Sequence, residues 1–324
     1  MNGRNHHRLP GIGLPVKSEQ KPDNEHPTAT NLRGMLEING ALQLPVVLGT
    51  DLKNEPIVLD LADAPHILIG GSDTNGINAG MNSIILSLLF RFRPDDLKFI
   101  MLDCKAPIFK VFRRLPHLLT PVIGEQKHTS AVLRRVVNEL ERRYRILARS
   151  HTKTLSEFNR RPVTEPVYDT DGVEIPPSLP YLVVFIGELA ELMTGKDKED
   201  IETKLCTIAL KGRAAGIHLV IGTMHPSREN LSGFLEALLP TRICFKTESA
   251  AESLLILDRA GAEKLVGGGD LLFSSLGRGF VRVKSAFVPD RDVSKIVESA
   301  CHQANLSFTM PVQTKQKRKQ RGAV

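Results

Sequence analysis

The chain has 324 residues, 41% of them hydrophobic and 24% charged, which is enough apolar material for a large globular core and excludes a disordered protein. No apolar run reaches the roughly 18 residues that cross a bilayer, and the polar start MNGRNHHR lacks a signal-peptide core, so no direct membrane insertion and a cytoplasmic location are expected. Cys104, Cys206, Cys244 and Cys301 form no CxxC pair, which speaks against a disulfide framework or a metal site, and five of the seven net positive charges come from Lys315, Lys317, Arg318, Lys319 and Arg321.

Residues 1–43 are polar, dotted with proline and without clear period, and read as a flexible leader. Residues 44–61 carry two strand-like runs, PVVLG and PIVLDL, about a turn at 51–55, and predict a hairpin at the edge of the domain. In 65–82 a short β-branched run, 67–69, breaks into a glycine turn, and 82–90 (NSIILSLLF) resumes with apolar residues at helical spacing. A phosphate-binding loop reads G-x-x-x-x-G-K followed by Ser or Thr. Its amides cradle phosphates, its lysine neutralises their charge and its hydroxyl holds magnesium. Gly71, Ser72, Asp73, Thr74, Asn75, Gly76, Ile77 and Asn78 keep both glycines at that spacing, but Ile77 stands for the lysine, Asn78 for the hydroxyl, and Asp73 adds a charge that repels anions. Taken alone, the pattern fits an ordinary strand-turn-helix joint better.

Residues 97–103 (LKFIMLD) predict a second buried strand ending in an acid, with Asp103 and Lys105 open to reading as a solvated charge pair. A long helix over 131–147 puts Arg134, Arg135, Arg142 and Arg143 on a polar face that reads as solvated, and the five prolines of 162–180 mark a loop. Residues 181–186 (YLVVFI) are a third buried strand. In a strand-borne magnesium site an Asp organises the metal shell and a following Glu polarises the attacking water. Here the pair is Gly187 and Glu188: Glu188 is the candidate general base, and equally an acid suited to a helix N-terminus. A helix over 201–214, a fourth strand over 218–223, a glycine run at 267–269, two further strands and a helix from 290 to about 304 complete the chain.

The ordered pieces LPVVLGTD (44–51), PHILIGG (65–71), NSIILSLLFRFRPDDLKFIMLD (82–103), LPHLLTPVI (115–123), NELERRY (138–144), RAAGIHLVIGT (213–223), LPTRICF (239–245) and ILDRAGAEKLVGGGDLLF (256–273) resemble the motor domain of the FtsK/SpoIIIE DNA translocases. The resemblance implies an α/β fold, a RecA-like P-loop NTPase core with a mostly parallel sheet flanked by helices on both faces. It places the motor at 44–308, a flexible leader with a remnant of the family's preceding small domain at 1–43, and a basic disordered tail at 309–324. It also implies ATP with magnesium, double-stranded DNA, and a homo- or hetero-hexameric ring, the latter with an intact paralogue. Arg213 matches the arginine that reaches a neighbouring subunit's nucleotide, and also suits a helix C-terminus. Met224 and His225 stand where the family shows Gln and Arg, Glu236 where it shows a DNA-facing Lys, and Leu254 where it shows Arg.

Three altered pieces of phosphoryl-transfer apparatus, at Ile77 with Asn78, at Gly187 and at Met224, lead to the expectation of a pseudo-ATPase. It would be tied to DNA binding and chromosome segregation, with ATP and magnesium binding weakened. The alternatives are an active translocase in which Lys105 or a neighbour's Arg213 supplies the missing charge, and a nucleotide-free structural subunit of a ring. With the body nearly neutral, Lys315, Lys317, Arg318, Lys319 and Arg321 are the candidate DNA contacts.

Overall fold

The computed structural model describes residues 29–38, 41–104, 108–162, 166–168, 172–275 and 279–308. In chain order the elements are α1 (Ala29–Ile38), β1 (Pro45–Asp51), β2 (Pro56–Asp60), β3 (Ile67–Gly70), α2 (Thr74–Leu89), β4 (Leu97–Leu102), α3 (Gln126–Arg149) and α4 (Leu155–Arg160). Then come β5 (Val167–Tyr168), β6 (Glu174–Ile175), β7 (Tyr181–Ile186), α5 (Leu189–Leu192), α6 (Lys198–Lys211) and β8 (Ile217–Thr223). The last are α7 (Gly233–Ala237), β9 (Thr241–Phe245), α8 (Ala250–Leu257), β10 (Asp270–Ser275), β11 (Val281–Ser285) and α9 (Asp290–Phe308).

One nine-stranded sheet runs in the order β2-β1-β11-β10-β9-β3-β8-β7-β4. The five strands β9, β3, β8, β7 and β4 are parallel, and the other four extend the sheet with antiparallel pairs. Near-continuous apolar runs such as YLVVFI suit the parallel part because both its faces are covered. Alternate residues go to opposite sides: Ile67, Ile69, Val183, Phe185 and Val220 pack with α2 and α9, whereas Leu68, Leu182, Val184, Leu219 and Ile221 pack with α3 and α6. The four strands expected from sequence are neighbours with their C-terminal ends at one edge, Gly70 opposite Thr223 and Leu102 opposite Ile186. Outer strand β4 is covered by 117–123, where the Phe99 amide donates to the His117 carbonyl at 2.8 Å and the Ile123 amide to the Met101 carbonyl at 2.9 Å.

The differences from the sequence reading are local. Helix α1 falls inside the segment read as leader, with Leu32 and Leu36 buried in the core. The hairpin of β1 and β2 lies at the sheet edge as expected, and α3 begins five residues earlier than its apolar periodicity shows. Within the proline-marked loop, β5 and β6 pair, and Ile175 joins a small cluster with Ile146, Leu155 and Phe158. Arg143 does not lie on the polar face. It is 3% exposed, its Nη1 donates to the Ala215 carbonyl at 2.9 Å and its Nε to Glu139 at 2.8 Å, and burial holds its pKa below the usual arginine value. Cys206 and Cys244 are buried and free, as core thiols.

Candidate nucleotide site

The C-terminal edge of the parallel strands holds most of the residues singled out from sequence. Gly71 follows β3 with φ +143°, where a Cβ would meet the Phe245 and Lys246 carbonyl oxygens at 3.0 Å, so only glycine fits. The turn is short. Ser72 donates its amide to the Lys246 carbonyl at 2.7 Å and its hydroxyl to Glu252 at 3.1 Å, and α2 already begins at Thr74. Gly76 therefore sits inside a helix, and a Cβ there would meet the Phe245 ring at 2.5 Å. Both glycines of the motif are thus required by packing alone.

Asp73 is the N-cap of α2. Its Oδ1 accepts the Gly76 amide at 3.0 Å, its Oδ2 accepts the Gly268 amide at 3.1 Å, and its carbonyl accepts the Ile77 amide at 3.0 Å. In a phosphate loop the amides of the turn face the ligand; here the Asp73 carboxylate takes the Gly76 amide from within the loop and draws in the Gly268 amide from outside it. Ile77 is fully buried in the core with Ile69 and Met81. Asn78 is half-buried with its Oδ1 enclosed and unpartnered, and Thr74 donates its hydroxyl to the Met224 sulfur at 3.4 Å.

Glu188 follows β7 and is 5% exposed. Its Oε1 accepts from the Ala190 amide at 2.9 Å and the Thr223 hydroxyl at 3.0 Å, and its Oε2 accepts from the Met224 amide at 2.6 Å. The carboxylate caps α5 and ties β7 to β8, with both oxygens engaged. Beside it, Gly187 presents no side chain, and a Cβ there would lie 3.2 Å from Asp103 Oδ1. Asp103 is not half of a solvated pair. It is 8% exposed and accepts the Phe109 amide at 3.0 Å and the Ile108 amide at 3.3 Å, while burial raises its pKa above the usual carboxylate value.

Arg213 is not brought to this edge. It precedes β8 at the other end of the sheet, about 20 Å of strand away, with its side chain 58% exposed and 3.4 Å from Asp63. It lines a cavity of about 350 Å³ with Asp63, Tyr144, Tyr181 and Lys211. Glu236, expected to reverse the sign of a DNA-facing position, is instead 5% exposed and paired with Arg228 and Arg242. His225 is exposed and Leu254 is 48% exposed. Lys105, Lys315, Lys317, Arg318, Lys319 and Arg321 lie outside the described residues. Sequence reasoning saw Asp73 as a repulsive charge and missed it as a cap. Part of the signal was present, since Asp is a favoured N-cap residue at a helix start, but Gly76 stands where the confirming Glu or Gln of a capping box would be.

The comparisons with known proteins fit this fold. The model of the FtsK/SpoIIIE family matches residues 32–228, more than half of the chain. The chain belongs to the FtsK/SpoIIIE family. Among curated FtsK/SpoIIIE relatives, "DNA translocase FtsK" of Haemophilus influenzae is 38% identical over 306 residues, 88% of this chain and 57% of that protein. The Pseudomonas aeruginosa protein of the same name is 38% identical over 270 residues, 79% of this chain and 33% of its own length. The chain thus spans about a third to somewhat over half of these relatives. Among solved structures, the pCW3 conjugation coupling protein TcpA with ATPγS is 27% identical with a TM-score of 0.64, over 79% of this chain and 70% of that one. The cytoplasmic domain of the type VII secretion ATPase EccC of Thermomonospora curvata has a TM-score of 0.66 at 24% identity, over 79% of this chain and 31% of that one, and shows the fold alone. The fold is that of the RecA-like P-loop ATPases, and no described helix is long and apolar enough to cross a membrane.

Proposed function

We propose that this chain is an FtsK-type motor-fold subunit that has kept the framework and lost efficient ATP hydrolysis: a cytoplasmic pseudo-ATPase acting on double-stranded DNA in chromosome segregation. It would work within a homo- or hetero-hexameric ring, Arg213 facing a neighbouring subunit. The observation that supports this most is Asp73, whose carboxylate already takes the Gly76 amide of the loop and the Gly268 amide beside it. The remaining residues do not fit ATP and magnesium either. Ile77 supplies no charge, Asn78 no hydroxyl, Gly187 no carboxylate, and Glu188 has both oxygens engaged by neighbours. No catalytic step can be derived from this edge of the sheet. Losing a single charge-stabilising arginine in phosphoryl transfer costs about 10³ to 10⁵ in rate, so several losses together leave little.

Steady-state hydrolysis with duplex DNA tests the reading. Turnover is expected at background, and DNA-stimulated turnover of several per second would overturn it. Titration with magnesium-ATPγS tests the role of Asp73. Asp73→Gly keeps a tolerated N-cap residue while removing a charge that at about 4 Å costs an anion roughly 1 to 4 kcal/mol. Affinity should rise at least about fivefold, and unchanged affinity would show that Asp73 does not block the loop.

A further inference from the structure

Charge is unevenly spread over the chain. The tail accounts for five of the seven net positive charges, leaving +2. Helix α3 alone carries Lys127, Arg134, Arg135, Arg142, Arg143, Arg145 and Arg149 against Glu139 and Glu141, a local +5, so everything else together is −3. The near-neutral body is a mildly acidic one with a single strongly basic helix.

The structure sorts these arginines. Arg143 turns inward, Arg142 pairs with Glu139, and Arg149 donates to the Tyr168 carbonyl at 2.7 Å. Arg134, Arg135 and Arg145 are exposed and form no ion pair among the described residues. Arg134 acts on Asp200 only at longer range, and that carboxylate already receives Lys204 and Ser130. At 100° per residue, Arg134, Arg145, Asn138, Arg149, Arg142 and Arg135 fall in that order within an arc of about 100° and along about 22 Å of axis. The buried residues Val132, Val136, Leu140 and Leu147 lie on the other side. A solvated helix face normally alternates its charges at i and i+4. Here Glu141, four residues before Arg145 at the border of the stripe, forms no ion pair among the described residues, and Arg142, Arg145 and Arg149 follow one another at three- and four-residue spacing, where like charges repel. Guanidinium groups in a row, projecting from a straight rigid element, match a row of phosphates in bidentate geometry.

We propose that the exposed face of α3 binds the phosphate backbone of double-stranded DNA, as a surface separate from the tail and from the nucleotide edge. The choice of DNA over an acidic protein rests on the proposed function; the surface itself does not. Such contacts hold the duplex without reading its bases.

Fluorescence anisotropy of a 30-base-pair duplex between 50 and 200 mM NaCl tests this. The proteins compared are the full chain, the triple variant Arg134→Gln, Arg135→Gln, Arg145→Gln, and the chain without residues 315–324. Each phosphate contact adds about 0.9 to the slope of log affinity on log salt, so the triple variant should lose about 2.7 and its affinity should change about 40-fold less across that range than wild type. All three positions are exposed, so the melting temperature should hold. The corresponding triple Lys variant should restore the slope, and the loss should add to that of the tail truncation. An unchanged slope in the triple Gln variant would overturn the proposal, as would Lys failing to restore it, or poly-glutamate binding to wild type as tightly as the duplex does at equal salt. None of these readings depends on ATP, so a defect here is distinguishable from failure of the pseudo-ATPase reading.

Discussion

Glu188→Gln is expected to lower the melting temperature by about 5 °C and to leave ATP turnover at its background level. In an active motor the same change removes the general base and abolishes turnover while the fold stands; here the fold responds and the turnover does not. The reason lies in what the carboxylate touches. Two amides, of Ala190 and Met224, and the Thr223 hydroxyl all donate to it, and it is 5% exposed. Glutamine offers one acceptor oxygen and one donor nitrogen, so either the Ala190 or the Met224 amide then faces an N–H group. An orphaned buried donor plus the loss of charge assistance costs about 2 to 3 kcal/mol, which for a domain of this size is about 5 °C. Thermal melting and a hydrolysis assay on the same preparation check it. A stable variant with diminished turnover would return Glu188 to catalysis.

The parallel core was legible because its strands are unbroken apolar runs. A run such as LVVF has no polar residue to spare for solvent, and glycine turns mark where each strand stops. Helix α1 was hidden because Leu32 and Leu36 are sparse anchors in a polar stretch, and they become a pattern only once a sheet lies beneath them. Arg143, unlike its neighbour Arg142, stands three residues after Leu140 and four before Leu147, so helical spacing already puts it on the buried face. What the letters do not show is its acceptor, the Ala215 carbonyl, 72 residues away. The same holds for Glu236, whose partners Arg228 and Arg242 come together only when the β8–β9 connection folds back.

At the site, the motif frame was legible and its chemistry less so. The missing lysine, hydroxyl and carboxylate are plain in the letters Ile77, Asn78 and Gly187. That the two surviving glycines are demanded by Phe245 and Lys246 is a long-range packing fact. Asp73 shows the difference best: repulsion of an anion is a property of its charge and the bond to the Gly76 amide is a local cap, whereas occupation of the Gly268 amide is a property of where the glycine run at 267–269 passes.

Between pH 6.5 and pH 5 the protein is expected to lose stability steeply, through histidines rather than carboxylates. His66 lies between β3 and α6, its Nε2 donating to the Ala209 carbonyl at 3.0 Å and its Nδ1 accepting the Leu219 amide at 2.8 Å, so the neutral ring is fully satisfied. Burial lowers its pKa to about 4. His218, with its ring centroid 6.2 Å from that of His66, is fully buried with neither nitrogen partnered. Burial, then the nearby His66, Arg143 and Arg213 charges, hold its pKa well below the ordinary value. His117 is lowered by burial as well. The unfolded chain protonates these rings near pH 6.5 while the folded one does not, so the unfolded state binds more protons and stability falls as pH drops from 6.5 toward 4. His66 alone removes about 2 kcal/mol by pH 5, His218 and His117 add in the same direction, and the raised Asp103 works the other way as it takes up its proton. Denaturant midpoints at pH 7.5, 6 and 5 measure the loss, and two variants apportion it. His218→Leu removes two unsatisfied buried nitrogens, so it should stabilise the protein at pH 7.5 or leave it unchanged, and flatten the acid limb. His66→Leu should flatten the limb too, but at pH 7.5 it should cost about 1 to 3 kcal/mol, because the Leu219 amide and the Ala209 carbonyl lose their partner. If His218→Leu destabilises as much as His66→Leu, the His218 ring is hydrogen-bonded after all, and the acid limb belongs elsewhere.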